Sequence, residues 1–162
     1  MTTRRFTVCG LIFTSLVAFP LLAQSSFGNV ATRIAGAGVL FDVSYDGVET
    51  HGARLQFTYV DPNSGAIQGL LTPARSSTSY PVSGQLTRSA GMSSSYYEIR
   101  FFYDAYNGSG PFFIIFRTTH TGALRLNNDG SRTAFIAGTS ETTSGFGDFG
   151  PLPFSAVGAY FP

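Results

Sequence analysis

Along much of this chain, apolar and polar residues change places every second position. Val39, Phe41, Val43 and Tyr45 alternate with Asp42 and Ser44, and Leu55, Phe57 and Tyr59 alternate with Gln56 and Thr58. A repeat of two puts one set of side chains on each face of a strand, so both stretches predict β-strands with one apolar face. Further runs fall at 66–71, 80–88, 95–104, 111–118, 122–126, 132–138 and 154–161. Between them stand turn sequences: Asp61-Pro62-Asn63-Ser64-Gly65, Asn107-Gly108-Ser109-Gly110 and Asn127-Asn128-Asp129-Gly130. Each supplies residues that tolerate positive φ or a fixed φ, which predicts hairpins. No stretch shows a 3.6-residue period, and no helix of note is expected.

Eight or nine strands joined by tight turns form a meander, and a meander of about eight strands removes its unpaired edges by closing on itself. The expected fold is therefore all-β, an eight-stranded antiparallel up-and-down barrel, with a β-sandwich as the alternative. Residues 112–126 read either as one long strand or as two joined by a link at Thr119–Gly122. Gly69, Gly84, Gly138 and Gly158 fall inside strand patterns, where glycine relieves curvature or marks a bulge. One run, Phe112 to Phe116, is apolar at every position. Its outward face needs a cover, which predicts a homo-oligomer assembled through this strand, or Ser144–Pro153 folded over it.

The N-terminus changes the picture. Arg4 and Arg5 precede an apolar run from Phe6 to Leu22, closed by Ala23 and followed by Gln24, Ser25 and Ser26. That is the layout of a secretory signal peptide over residues 1–23, shorter than a membrane-spanning helix requires. Residues 24–38 then read as a lead-in and 39–162 as a single barrel domain, secreted or periplasmic. Removal of Arg4 and Arg5 takes the formal charge from +1 to −1. With no lysine and no basic cluster, nucleic acid is not an expected partner. Cys9, the one cysteine, falls in the leader, so the domain is stabilised by packing and not by disulfides.

Candidate chemistry is sparse. His51 follows Glu49 in a polar stretch, and His120 lies in the presumed link, so both read as surface turn residues; two histidines without further spaced ligands make no metal or hydrolase site. The clusters Asp42, Asp46, Glu49 and Asp61, Asn63, Gly65 lack the twelve-residue calcium pattern, whose closing position counted from Asp61 is Thr72. Asn107-Gly108-Ser109 matches a glycosylation acceptor and equally a hairpin turn. No catalytic residue, cofactor or metal is expected, and the chain does not read as an enzyme. Tyr97, Ile99, Phe101 and Tyr103 share one strand face, while Glu98, Arg100, Phe102 and Asp104 share the other. A barrel of this size is either filled by its own side chains or holds one small ligand.

Three stretches resemble the avidin and streptavidin family: Gly65-Ala66-Ile67-Gln68-Gly69, Val82-Ser83-Gly84-Gln85-Leu86-Thr87-Arg88-Ser89, and Phe135-Ile136-Ala137-Gly138-Thr139-Ser140. The resemblance spans about Ala53 to Phe161 and implies an eight-stranded up-and-down barrel with tetramer-like assembly. It does not extend to biotin. The chain has no tryptophan, Phe135 stands at one of the family's tryptophan positions, and Val157-Gly158-Ala159-Tyr160 replaces the stretch bearing its ligand-binding aspartate. The leading expectation is thus an exported barrel that binds a small, largely apolar ligand in its mouth or lumen, with Phe116 and Phe135 as wall residues and Tyr160 as a polar contact. A filled barrel acting as a structural or interaction protein is the second reading. A small outer-membrane barrel is the third, prompted by the aromatic end Tyr160-Phe161.

Overall fold

The computed structural model describes residues 27–36, 39–46, 48–88, 91, 93–109 and 112–160. The leader expected at 1–23 lies outside the described residues. Eight strands follow one short helix: α1 (Gly28–Ile34), β1 (Phe41–Tyr45), β2 (Val48–Val60), β3 (Ala66–Pro73), β4 (Tyr80–Thr87), β5 (Tyr96–Ser109), β6 (Phe112–Leu126), β7 (Thr133–Ser144) and β8 (Gly147–Ala159). Each strand pairs antiparallel with the next, and β8 pairs back on β1 from Phe41↔Gly158 to Tyr45↔Phe154, closing the barrel. The up-and-down barrel is the observed fold, and the sandwich is set aside.

The hairpins form where turn chemistry dictates. At 61–65 the Asp61 Oδ1 accepts from the N–H groups of Asn63 (2.8 Å) and Ser64 (2.9 Å), and Gly65 takes a φ of 75°. Hydrogen bonds from the N–H groups of Ser64 and Asn63 hold the Asp61 carboxyl below its usual range. Between β6 and β7 Asp129 Oδ1 does the same for the Ser131 N–H at 3.1 Å, beside Gly130 at φ 87°.

Alternation sorts the barrel into an apolar inside and a polar outside. Phe41, Leu55, Phe57, Ile67, Leu86, Ile99, Phe101, Leu124 and Ile136 are all at most 1 % exposed. No void large enough for a water adjoins those at zero exposure, and the rings interlock edge to face: Phe41–Phe57 at 5.5 Å, Phe57–Phe101 at 6.0 Å and Phe101–Phe154 at 6.1 Å. This part of the lumen is filled. Outward positions carry Arg54, Glu98, Arg100, Arg125 and Glu141, all exposed.

One end of the barrel is stoppered. The helix α1 lies within the stretch read as a lead-in, where no helix was expected. Two turns of helix do not hold themselves together in water, and α1 has no side-chain N-cap. It persists because Phe27, Val30 and Ile34, spaced three and four apart, bury their side chains in the core. The Phe27 N–H donates to Pro62 O (3.1 Å) and the Gly36 N–H to Phe57 O (3.1 Å), tying both ends of the plug to the barrel.

Strand β6 decides two points that the sequence leaves open. Residues 112–126 form one strand, paired continuously with β5 from Tyr96↔Arg125 to Ser109↔Phe112, with no link at Thr119–Gly122. Ser144–Pro153 does not fold over that strand. It contributes the end of β7, a turn at Gly145–Phe146 and the start of β8, lying beside β6 in the sheet through Phe116↔Ser144.

Candidate functional site at the open end

Opposite the α1 plug the wall is uneven. Tyr45, near the top of β1, pairs with Phe154, yet β8 runs on from Pro153 to Gly147 and stays paired with β7. Likewise β4 begins at Tyr80, two residues above the Val82↔Tyr103 pair, whereas β5 continues to Ser109. Strands β5 to β8 therefore rise as a curved half-wall above the rim of β1, β3 and β4. Its inner face ascends in rows. Phe101, His120, Ser140 and Leu152 share one row; Tyr103, Thr118, Thr142 and Phe149 share the next; Ala105, Phe116 and Ser144 share the third.

The lowest row holds the one side-chain polar atom among the described residues that is buried without a partner, Nδ1 of His120. His120 is fully buried, contrary to the surface-turn expectation, because the alternation Phe116, Thr118, His120, Gly122, Leu124 runs unbroken along β6 and points its ring inward. The imidazole stacks on Phe101 at 4.5 Å and 5°, meets the edge of Phe154 at 4.8 Å, and reaches across the lumen to Tyr45, whose hydroxyl lies 2.9 Å from Nε2. Burial lowers the imidazole pKa from 6.5 to about 4, so the ring is neutral at neutral pH. Burial, with the neighbouring Tyr103, raises the Tyr45 phenol well above its ordinary value. Two neutral groups thus share one hydrogen bond. If Tyr45 donates to Nε2, Nδ1 carries the proton; in the other tautomer Nδ1 offers a lone pair.

Above this pair lies a set of hydroxyls. Thr118 Oγ1 and Thr142 Oγ1 are 2.9 Å apart, and beside Thr118 on β5 stands Tyr103, whose phenol pKa is raised by burial. The rings of Tyr80 and Tyr103 stand 5.6 Å apart at the rim. Tyr45, Tyr80, Tyr103, Phe116 and Thr142 are each half-buried, while Phe149 and Leu152 are exposed. The result is a neutral polar layer across the lumen, with a partly aromatic wall open to solvent above it.

Of the three residues expected to bind ligand, the structure brings only Phe116 to this mouth. Phe135 faces outward, because Ala134 and Ile136 on either side are fully buried and alternation leaves 135 outside, 38 % exposed. Tyr160 is buried at the plugged end, where its hydroxyl donates to Asn127 O (2.6 Å) and the Arg33 guanidinium lies 5.3 Å from its ring centre. Its polar tip is already satisfied by the fold. His51 lies on β2, its side chain outside the described residues, as does that of Glu49. No group of three or more metal-ligating side chains occurs among the described residues.

A groove of about 660 Å³ crosses the outside of β8, β1, β2 and β3 between Asp42, Arg54, Thr72, Ser76, Ser155 and Val157. Its charged pair, Arg54 and Asp42 at 4.0 Å, is almost fully solvated and worth little. It holds no buried polar group, and the mouth is the better site.

Fold and mouth together define a closed eight-stranded antiparallel barrel, plugged at one end and lined at the other by neutral polar groups and aromatic rings. Compared with protein-family models, curated proteins and solved structures, the chain matches none of them. The comparisons give no support to kinship with avidins, while the eight-stranded barrel that the quoted motifs implied is the barrel seen.

Proposed function

We propose that this chain is an exported small-ligand-binding barrel whose site is the open mouth between Tyr45, Tyr80, Tyr103, Thr118 and Phe116. Its ligand is small and mostly apolar, and biotin is not implied. The supporting observation is the His120–Tyr45 pair: a buried polar bridge with an unsatisfied nitrogen, at the boundary between a filled apolar lumen and a half-open aromatic cup. A barrel stabilised by packing alone gains nothing from such a group, since an unsatisfied buried donor or acceptor costs about 1–3 kcal/mol. Unpaired buried polar atoms in native proteins call for an explanation, and a site for a ligand is one. The filled interior below His120 directs the ligand to the mouth and away from the lumen. The outward arginines and glutamates argue against a lipid-facing barrel, which needs an apolar outer band.

The test is a titration of the purified protein with a panel of small aromatic compounds, followed by NMR of the aromatic side chains. Resonances of Tyr45, Tyr80, Tyr103 and Phe116 are expected to shift, and those of Tyr97 and Tyr160 at the plugged end to stay. Silence at the mouth up to millimolar concentrations, or shifts confined to the plugged end, would overturn the reading.

A second reading is favoured by one observation. On the outer face of the raised half-wall, Tyr106 and Ile115 sit directly opposite each other and are 63 % and 46 % exposed. They provide an apolar surface through which copies of the chain would assemble via β6.

A further inference from the structure

Resting on the mouth as the binding site, we infer that the ligand it selects is a neutral aromatic molecule carrying a hydrogen-bonding group such as an amide or alcohol, and that carboxylates and ammonium ions of the same shape are rejected. Every polar side chain described on the inner face of the mouth is uncharged: the phenols of Tyr45, Tyr80 and Tyr103, the hydroxyls of Thr118, Ser140, Thr142 and Ser144, and the imidazole of His120. The nearest ion pair is spent elsewhere. Arg117 Nε and Nη2 donate to the two Asp104 oxygens at 2.8 Å each, on the outer face of β5 and β6.

A ligand that brought a charge to the mouth would give up hydration there and meet no charged side chain on the described inner face, a loss that hydroxyls repay only in part. A neutral group fares differently. Each of the Tyr103, Thr118 and Thr142 hydroxyls both donates and accepts, so the Thr118–Thr142 hydrogen bond can reverse its direction to suit a carbonyl or an alcohol. The His120–Tyr45 pair has the same freedom through its two tautomers. The flat body of the ligand is matched by the Tyr80 and Tyr103 rings and by Phe116 on the wall above.

Two isosteric pairs test this on the wild-type protein: benzamide against benzoate, and benzyl alcohol against benzylammonium, each titrated at pH 7 and followed by the shifts of Tyr103 and Phe116. Benzamide and benzyl alcohol are expected to bind at least tenfold more tightly than their charged partners. If a charged member binds as well as or better than its neutral isostere at these residues, the selectivity is wrong and the mouth remains the site. If none of the four perturbs the mouth while other members of the aromatic panel do, the assigned ligand class is wrong. If nothing in either set perturbs it, the site itself fails and this inference with it.

Discussion

At the scale of single residues, the costliest choice in the barrel is His120. It is fully buried, stacked on Phe101, bonded to Tyr45 through one nitrogen and to nothing through the other. Replacing both members of a buried hydrogen-bonded pair by apolar groups of similar shape is nearly neutral or stabilising, whereas removing one strands the other. The double variant Tyr45→Phe with His120→Phe is therefore expected to be at least as stable as the wild type at pH 7. It should also lose an acid sensitivity that the imidazole imposes. In the unfolded chain His120 takes up a proton near pH 6.5, and in the folded barrel not until about pH 4. Between those values the unfolded state binds more protons, so stability falls as pH drops from 6.5 to 4 and levels off below. The shift corresponds to about 3 kcal/mol, as an order of magnitude. Urea midpoints of both proteins, measured from pH 4 to 7, should diverge toward acid, with the wild type losing more; parallel curves would show that the imidazole is not held neutral by burial.

At the scale of elements, strand patterns were legible wherever alternation and turn chemistry agreed, as in β1, β3 and the hairpin at Asp61–Gly65. Three things were not. The helix α1 carries its period in only three residues, Phe27, Val30 and Ile34, too few to stand out until the barrel end they fill is known. His120 was hidden because Thr119, His120 and Thr121 look like a turn; the even-numbered alternation from Phe116 to Leu126 passes straight through them and was the signal available. Phe135 was placed by analogy with a family position, against the parity fixed by Ala134 and Ile136. The glycines were legible as closure devices, and Gly138 shows why. A Cβ there would stand 2.1 Å from Thr121 O and 2.5 Å from the Gly122 Cα, backbone atoms that cannot swing aside. Gly158 differs: its Cβ would meet the Phe41 ring at 2.8 Å, so it makes room for the core and not for a strand crossing. Gly138→Ala should therefore destabilise the barrel by about 2 kcal/mol or more, in the upper range of overpacking. Gly145→Ala, whose Cβ has nothing within 4 Å, should stay within about 0.5 kcal/mol of the wild type. Thermal unfolding of the two variants side by side measures the difference, and equal midpoints would mean that β6 and β7 can part without cost at this crossing.

At the scale of the whole molecule, the unequal height of the wall separates the two readings of what the barrel does. Closure removes the free sheet edge along most of the barrel and leaves unpaired backbone on β5 and β8 where the half-wall rises; the assembly reading rests instead on side chains of the outer surface. The Tyr106–Ile115 pair lies on the raised part of β5 and β6, directly behind the wall that bears Ala105 and Phe116 on its inner side. An assembly through this pair would leave the mouth open, because the two use opposite faces of the same strands. Binding and oligomerisation are then separable by mutation. A charge at Ile115 would be desolvated in such an interface but remain in water in the monomer. Ile115→Glu is expected to halve or quarter the mass measured by light scattering if the wild type is a dimer or tetramer, with mouth resonances still shifting on addition of a neutral aromatic ligand. A wild type that is monomeric at every concentration would remove the assembly role from β6 and leave the mouth as the site of function. Loss of ligand response together with loss of the oligomer would instead show that a second copy completes the cup.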